Sequence, residues 1–154
     1  MTRFRHILVP IDGSSTAEKA LDEAIRLAVF SGAKISLMHV IDALSHVIDF
    51  EPATHYLKQT LPLLRAAGEE LLAREGEKVL AHGLQVECVL IVEAPGRICE
   101  HVAAQAVVGQ ADLIVLGSHG RRGVMRVLMG SDAEQIIRHA PVPVLVVRGS
   151  AEAA

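Results

Sequence analysis

A chain of 154 residues, 51% hydrophobic with 3% aromatic residues and no Trp, has the size of one domain and an aliphatic core. Its net charge of −3 provides no basic field for nucleic acid, and so few aromatic rings leave no stacking platform for single strands. No apolar run approaches the roughly 18–20 residues of a membrane helix, and the basic start at Arg3 and Arg5 meets Pro10 and Asp12 too early for an export signal, so a cytoplasmic protein is expected.

His6 to Ile11 is almost wholly aliphatic, the pattern of a strand buried on both faces. Asp12-Gly13-Ser14 ends it, and Ser15 with Glu18 forms a capping-box pair for a helix lined by Leu21, Ala24, Ile25 and Ala28 and stopped by Gly32. Lys34 to Ile41 makes a second strand, closed by Asp42. Residues 43–59 lose periodicity and read as a long loop or irregular helix; His46, Asp49 and His55 are scattered through them without a recognised metal-ligand spacing. From Thr60, read as a cap, to His82, the spacing of Leu61, Leu64, Leu71, Leu72 and Val79 gives a long helix with Pro62 in its first turn and Gly83 past its end. Gly68 and Gly76 count against that helix.

Gln85 to Val92 is the third strand, and Pro95 to Val108 a helix with Ile98, Val102 and Ala106 on one face and Gly109 as its stop. Cys88 and Cys99, too few for a disulfide framework and set among apolar residues, read as small buried hydrophobes. Leu113 to Leu116 is the fourth strand, Ser131 to His139 a helix, and Val142 to Val147 the fifth strand, with a polar tail at 149–154. Five aliphatic strands alternating with helices imply an α/β fold: a doubly wound five-stranded parallel sheet with helices on both faces, a Rossmann-like three-layer sandwich formed by a single domain over residues 1–148. Ligands of such sheets bind at the carboxyl ends of the strands where the winding reverses, so the loops after the first and fourth strands are the candidate site.

Those loops carry chemistry. Gly117, Gly120, Gly123 and Gly130 fall within fourteen residues between a strand and a helix, more than one crossover needs, and a glycine-hinged turn into a helix N-terminus suits a phosphate. Neither G-x-x-x-x-G-K-[ST] nor a G-x-G-x-x-G after the first strand occurs, which excludes a Walker enzyme and an ordinary dinucleotide fold. The spacing that does occur, Gly117-x-x-Gly120, nine residues, then Gly130-Ser131, resembles the ATP-binding motif of the universal stress protein family. Val9-Pro10-Ile11-Asp12-Gly13-Ser14, His39-Val40-Ile41-Asp42, Glu93-Ala94-Pro95 and the final aliphatic strand are similar to other hallmarks of that family, so the resemblance covers nearly the whole chain.

The resemblance implies a universal stress protein-like fold and an ATP site. In it Asp12 meets the ribose or adenine side, Pro10 and Val40 line the base, Gly117, Gly120 and Gly130 present N–H groups to the phosphates, and Ser131 adds a hydroxyl and its own N–H. It also implies a regulatory or stress-protective homodimer formed through the strand Val142 to Val147, with an unidentified protein partner an open option. Two alternatives stand beside it: a nucleotide-independent dimeric interaction protein, and a weak ATPase. No Walker lysine, metal-binding carboxylate pair or evident base is in view, which favours binding, or at most slow hydrolysis, over efficient phosphoryl transfer.

Several residues keep two readings. Ser131 with Glu134 is also a capping box, Asp12 also a strand terminator that helps cap the next helix, and the glycines also turn formers. Of Arg121, Arg122 and Arg126 at most one reaches phosphate and the rest stay solvated, and His119 touches a phosphate or a catalytic water, with no partner carboxylate in view to make it a general base. Asp132 departs from the small aliphatic residue common in the family at this place. Its carboxylate favours the helix start and opposes a phosphate, so either ATP binding is weakened or Mg²⁺ bridges Asp132 and the phosphates.

Overall fold

A computed structural model describing residues 3–41, 53–92, 95–119 and 129–149 places five parallel strands in the order β3-β2-β1-β4-β5. These are β1 (His6–Pro10), β2 (Lys34–Val40), β3 (Val86–Ile91), β4 (Leu113–Gly117) and β5 (Val144–Val147). The helices are α1 (Ser15–Ser31), α2 (Ala53–His55), α3 (Leu61–Leu80), α4 (Ile98–Val108) and α5 (Ser131–His139). The chain starts at the centre of the sheet, winds out through β2 to β3, then crosses back to β4 and β5, so the direction reverses between β1 and β4.

Successive side chains of a strand point to opposite faces, and here both faces are covered. Ile7, Val9, Ile35, Leu37, Leu113 and Val115 pack with α1 and α3 through Leu21, Ile25, Leu72 and Val79. Leu8, Met38, Ile114 and Leu116 pack on the other side with α4 and α5 through Cys99, Val102 and Ile136. That double burial explains the unbroken aliphatic runs of β1 and β4.

Edges and caps depart from the expected pattern. Cys99 is buried, as expected, but Cys88 is exposed because β3 is an edge strand; its Sγ lies 3.6 Å from the Leu72 carbonyl. The first helix is capped by Ser14 and not Ser15: Ser14 is extended and its Oγ accepts from the Ala17 N–H at 3.2 Å. Gly32, left-handed at φ +75°, closes the same helix as expected and gives its N–H to the Ala28 carbonyl.

Thr60 is not a cap, since its backbone is already helical and its side chain makes no capping hydrogen bond. A π-helical turn, Tyr56–Thr60, runs straight into α3, so the irregular-helix reading holds for residues 53–60, while 42–52 lie outside the described residues. The glycines that counted against α3 prove to be contact points: a Cβ at Gly68 would come within 2.9 Å of Leu90 Cδ1, and one at Gly76 within 3.4 Å of Cys88 Sγ. Gly109 closes α4 in a right-handed conformation, and the left-handed residue of that turn is Gln110 at φ +54°.

Candidate functional site

The reversal of winding between β1 and β4 opens a cleft at the carboxyl ends of the strands, where crossovers leave to opposite faces. Pro10, Ile11 and Asp12 enter it from the end of β1, Met38, His39 and Val40 from β2, and Leu116, Gly117 and His119 from β4. Ile98 and Val102 of α4 and Ala133 and Ile136 of α5 give it an aliphatic wall, while Asp12, Asp132, His39 and His119 supply its polar groups. An apolar enclosure with a few polar groups is the usual form of a small-molecule site.

Each polar group is placed by local structure. After Ile11 the strand stops, Gly13 turns at φ +84°, and the Ser14 N–H donates to Asp12 Oδ1 at 2.9 Å. Asp12 thus organises the α1 cap from one carboxylate oxygen, so its strand-terminating role and a place in the cleft coexist. His39 Nδ1 lies 2.8 Å from the Ile11 carbonyl, and because a carbonyl only accepts, this nitrogen carries a proton.

On the other side Ser118 is buried, its N–H donates to the Val147 carbonyl, and its Oγ lies 2.9 Å from His119 Nδ1. The Gly130 N–H donates to the Ser118 carbonyl at 2.8 Å, which brings the start of α5 beside the end of β4. Gly130 is the N-cap of α5, and no side chain caps that helix. The expected Ser131 cap is therefore incorrect: Ser131 is already the first helical residue, one position too late for its hydroxyl to reach back. The first-turn N–H groups of a helix have no intrahelical acceptor, and the residues that follow Ser131, Asp132 and Ala133, line the cleft.

Of the residues singled out in the sequence, Pro10, Asp12, Val40 and Gly117 line this one cleft. Gly130 and Ser131 stand at the adjoining helix start, with the Gly130 N–H already given to Ser118. Gly120 and the three arginines lie outside the described residues, as do His46 and Asp49, while His55 is exposed. Among the described residues no group of His, Cys, Asp and Glu is arranged to hold a metal. The sequence pattern does not mark His39, Ile98 or Ile136 as site residues. Their common signal is position, since His39 ends a strand beside the reversal and the other two lie in the first two turns of the helices that cross back there.

The chain matches the model of the universal stress protein family over residues 3–148. It is 30% identical over 145 residues to universal stress protein MJ0531 of Methanocaldococcus jannaschii, covering 94% of this chain and 82% of that one. Among solved structures it superposes on hypothetical protein MJ0577 with a TM-score of 0.82 at 25% identity, covering 97% of this chain and 99% of that one. A universal stress protein in complex with cAMP gives 0.68 at 22% identity, covering 96% and 98%. One from Archaeoglobus fulgidus in complex with dAMP gives 0.64 at 20% identity, covering 96% and 99%. A parallel β3-β2-β1-β4-β5 sheet and a family match over nearly the whole chain thus agree: this chain belongs to the universal stress protein family.

Proposed function

We propose that the chain binds an adenine nucleotide, ATP in the first instance, in the switch-point cleft, and acts as a cytoplasmic regulatory or stress-protective homodimer. The observation that carries this reading is the start of α5. It has no side-chain cap and is drawn to the end of β4 by the Gly130–Ser118 hydrogen bond, while its next residues line the cleft that Asp12 enters from β1. Orphan N–H groups and the positive end of the helix dipole favour an anion there. The nucleotide complexes of the related cAMP and dAMP proteins support an adenine ligand.

In this arrangement Asp12 accepts from ribose hydroxyls, and Pro10 and Val40 enclose the base. The N–H groups of Gly117 and Gly120, with the N–H and hydroxyl of Ser131, meet the phosphates. Gly130 shapes the turn, its N–H being spent on Ser118. β5 is a sheet edge, and its outer backbone groups form an open pairing template that a second copy of the chain would cover.

The test is calorimetric titration of the purified protein with ATP, ADP and AMP, beside Gly120→Val, with identification of any small molecule released on denaturation. Saturable binding by the wild type and its loss in Gly120→Val are expected. A wild type that neither binds nor carries nucleotide would sink this reading and leave the nucleotide-independent interaction protein. Release of ADP above background, lost in Asp12→Ala, would add ATPase activity.

A further inference from the structure

Ile11, the residue that leads into Asp12, is held from β2 through both of its flanking peptides. The Ile11 N–H donates to the Met38 carbonyl at 2.8 Å, and His39 Nδ1–H donates to the Ile11 carbonyl at 2.8 Å. The first bond continues the sheet ladder, whereas the second comes from a side chain just where the strand ends. Ile11 is buried, so its carbonyl has little recourse to water, and a buried acceptor left without a donor drives the peptide to reorient. His39 thus holds the Ile11–Asp12 peptide at its carbonyl, while the Ser14 N–H holds the Asp12 carboxylate beyond it.

The imidazole needs room to do this, and α3 provides it. A Cβ at Gly68 would stand 3.0 Å from His39 Cδ2, beside Leu90 Cδ1 at 2.9 Å, both closer than carbon atoms pack. An interior helical glycine is otherwise unfavourable relative to alanine, and the ring of His39 together with Leu90 accounts for one at position 68. An aromatic polar ring in an otherwise mostly aliphatic β2, a glycine opposite it and a carbonyl at the site form one device.

We infer that His39, seated against Gly68, is a positioning residue for the nucleoside end of the cleft, acting through the Ile11 carbonyl on Asp12. This rests on the nucleotide reading above. Its mark is selective: loss of the His39 donor weakens ligands that use the ribose contact and leaves phosphate binding in place.

Full-length protein is titrated with AMP, and with inorganic tripolyphosphate as a probe that carries phosphate and no nucleoside. His39→Leu is expected to weaken AMP about tenfold, the scale of one buried hydrogen bond and its orphaned acceptor, with tripolyphosphate affinity unchanged. His39→Asn returns an N–H near the position of Nδ1 and restores most of the AMP affinity. In an Asp12→Ala background His39→Leu has less than about a twofold further effect, because the two residues act in series.

If His39→Leu does not fold, Gly68→Ala, which crowds the same ring, is measured instead; it weakens AMP selectively and is relieved by adding His39→Asn. Equal losses for AMP and tripolyphosphate, or additive losses with Asp12→Ala, would overturn the positioning role. A wild type without saturable AMP binding would instead remove the nucleotide reading on which the role rests.

Discussion

Gly117 lies at one position under the close approach of α1 and the proposed contact with a phosphate, and Gly117→Ala in the nucleotide-free protein isolates the first. A Cβ there would lie 2.8 Å from Thr16 Cγ2, 2.9 Å from the Thr16 carbonyl carbon and 3.0 Å from its oxygen. Favourable carbon contacts begin near 3.5 Å, so the methyl overlaps the first turn of α1 by roughly 0.5 Å or more. Two of the three atoms are backbone that cannot rotate aside, and Thr16 is itself buried. Overpacking of this kind costs about 1–3 kcal/mol, offset by about 0.4–1 kcal/mol from the stiffer unfolded chain. The net expectation is a loss of about 1–2 kcal/mol, or about 2–8 °C in Tm for a chain of this length. Urea denaturation and calorimetry of the nucleotide-free protein measure it directly. Gly76→Ala is the control, for its Cβ meets Cys88 Sγ at 3.4 Å and Val86 Cγ1 at 4.0 Å, and alanine is favoured inside a helix; it should be neutral or stabilising. If Gly117→Ala is as stable as wild type without ligand, the close approach of α1 does not explain this glycine.

His6 makes stability pH-dependent. Its Nδ1–H donates to the Gly109 carbonyl at 2.7 Å and its Nε2 lies 2.6 Å from Ser36 Oγ, which is 3.3 Å from Glu87 Oε2. Burial, and after it the Lys34 charge, push its pKa below the ordinary 6.5, against the opposing pull of the Gly109 hydrogen bond, Glu87 and Asp112. The unfolded chain therefore binds the proton more readily, and this contribution to stability is whole above pH 6.5 and lost as pH falls through the lower folded value. Urea midpoints between about pH 5 and 7.5 should fall toward acid in wild type more steeply than in His6→Gln; parallel curves would refute the assignment. Asp132→Asn should tighten ATP measured in EDTA by about threefold to tenfold, through loss of a like charge beside the phosphates, and reduce any gain from added Mg²⁺, whose preferred ligands are carboxylate oxygens. Unchanged affinity in both conditions would show that this carboxylate does not sense the phosphates. On β5, the Pro143 and Val147 carbonyls accept from β4, so Val144 and Val146 turn their N–H groups to the open edge. Val146→Pro should yield a folded monomer by light scattering where wild type is dimeric, and a dimer that survives would place the interface elsewhere.

The sheet was legible because its signal is repetitive. Ile7, Leu8 and Val9 go in turn to opposite covered faces, and such short runs, bounded by turn residues and alternating with helical patterns, are what a sheet buried on both sides asks for. The strand ends then pointed to the cleft, since doubly wound sheets bind at the carboxyl ends of their strands, while the reversal between β1 and β4 is seen in the strand order itself. What escaped is decided by single atoms across the fold. Ser14 and Ser15 offer the same hydroxyl, and only the Asp12 turn, which leaves Ser14 extended, chooses the former as cap. At α5, Ser131-x-x-Glu134 has the composition of a capping box, yet the Gly130–Ser118 bond starts the helix one residue earlier and leaves the serine inside it. Gly68 reads locally as a helix defect, and its reason lies on β2 and β3, in the ring of His39 and the side chain of Leu90, both far from it in sequence. Periodicity reports which face a residue shares, not which atom it must make room for. The residues packed behind the cleft-lining groups are the ones whose placement is explained only when α3, β2 and the end of β1 are seen together.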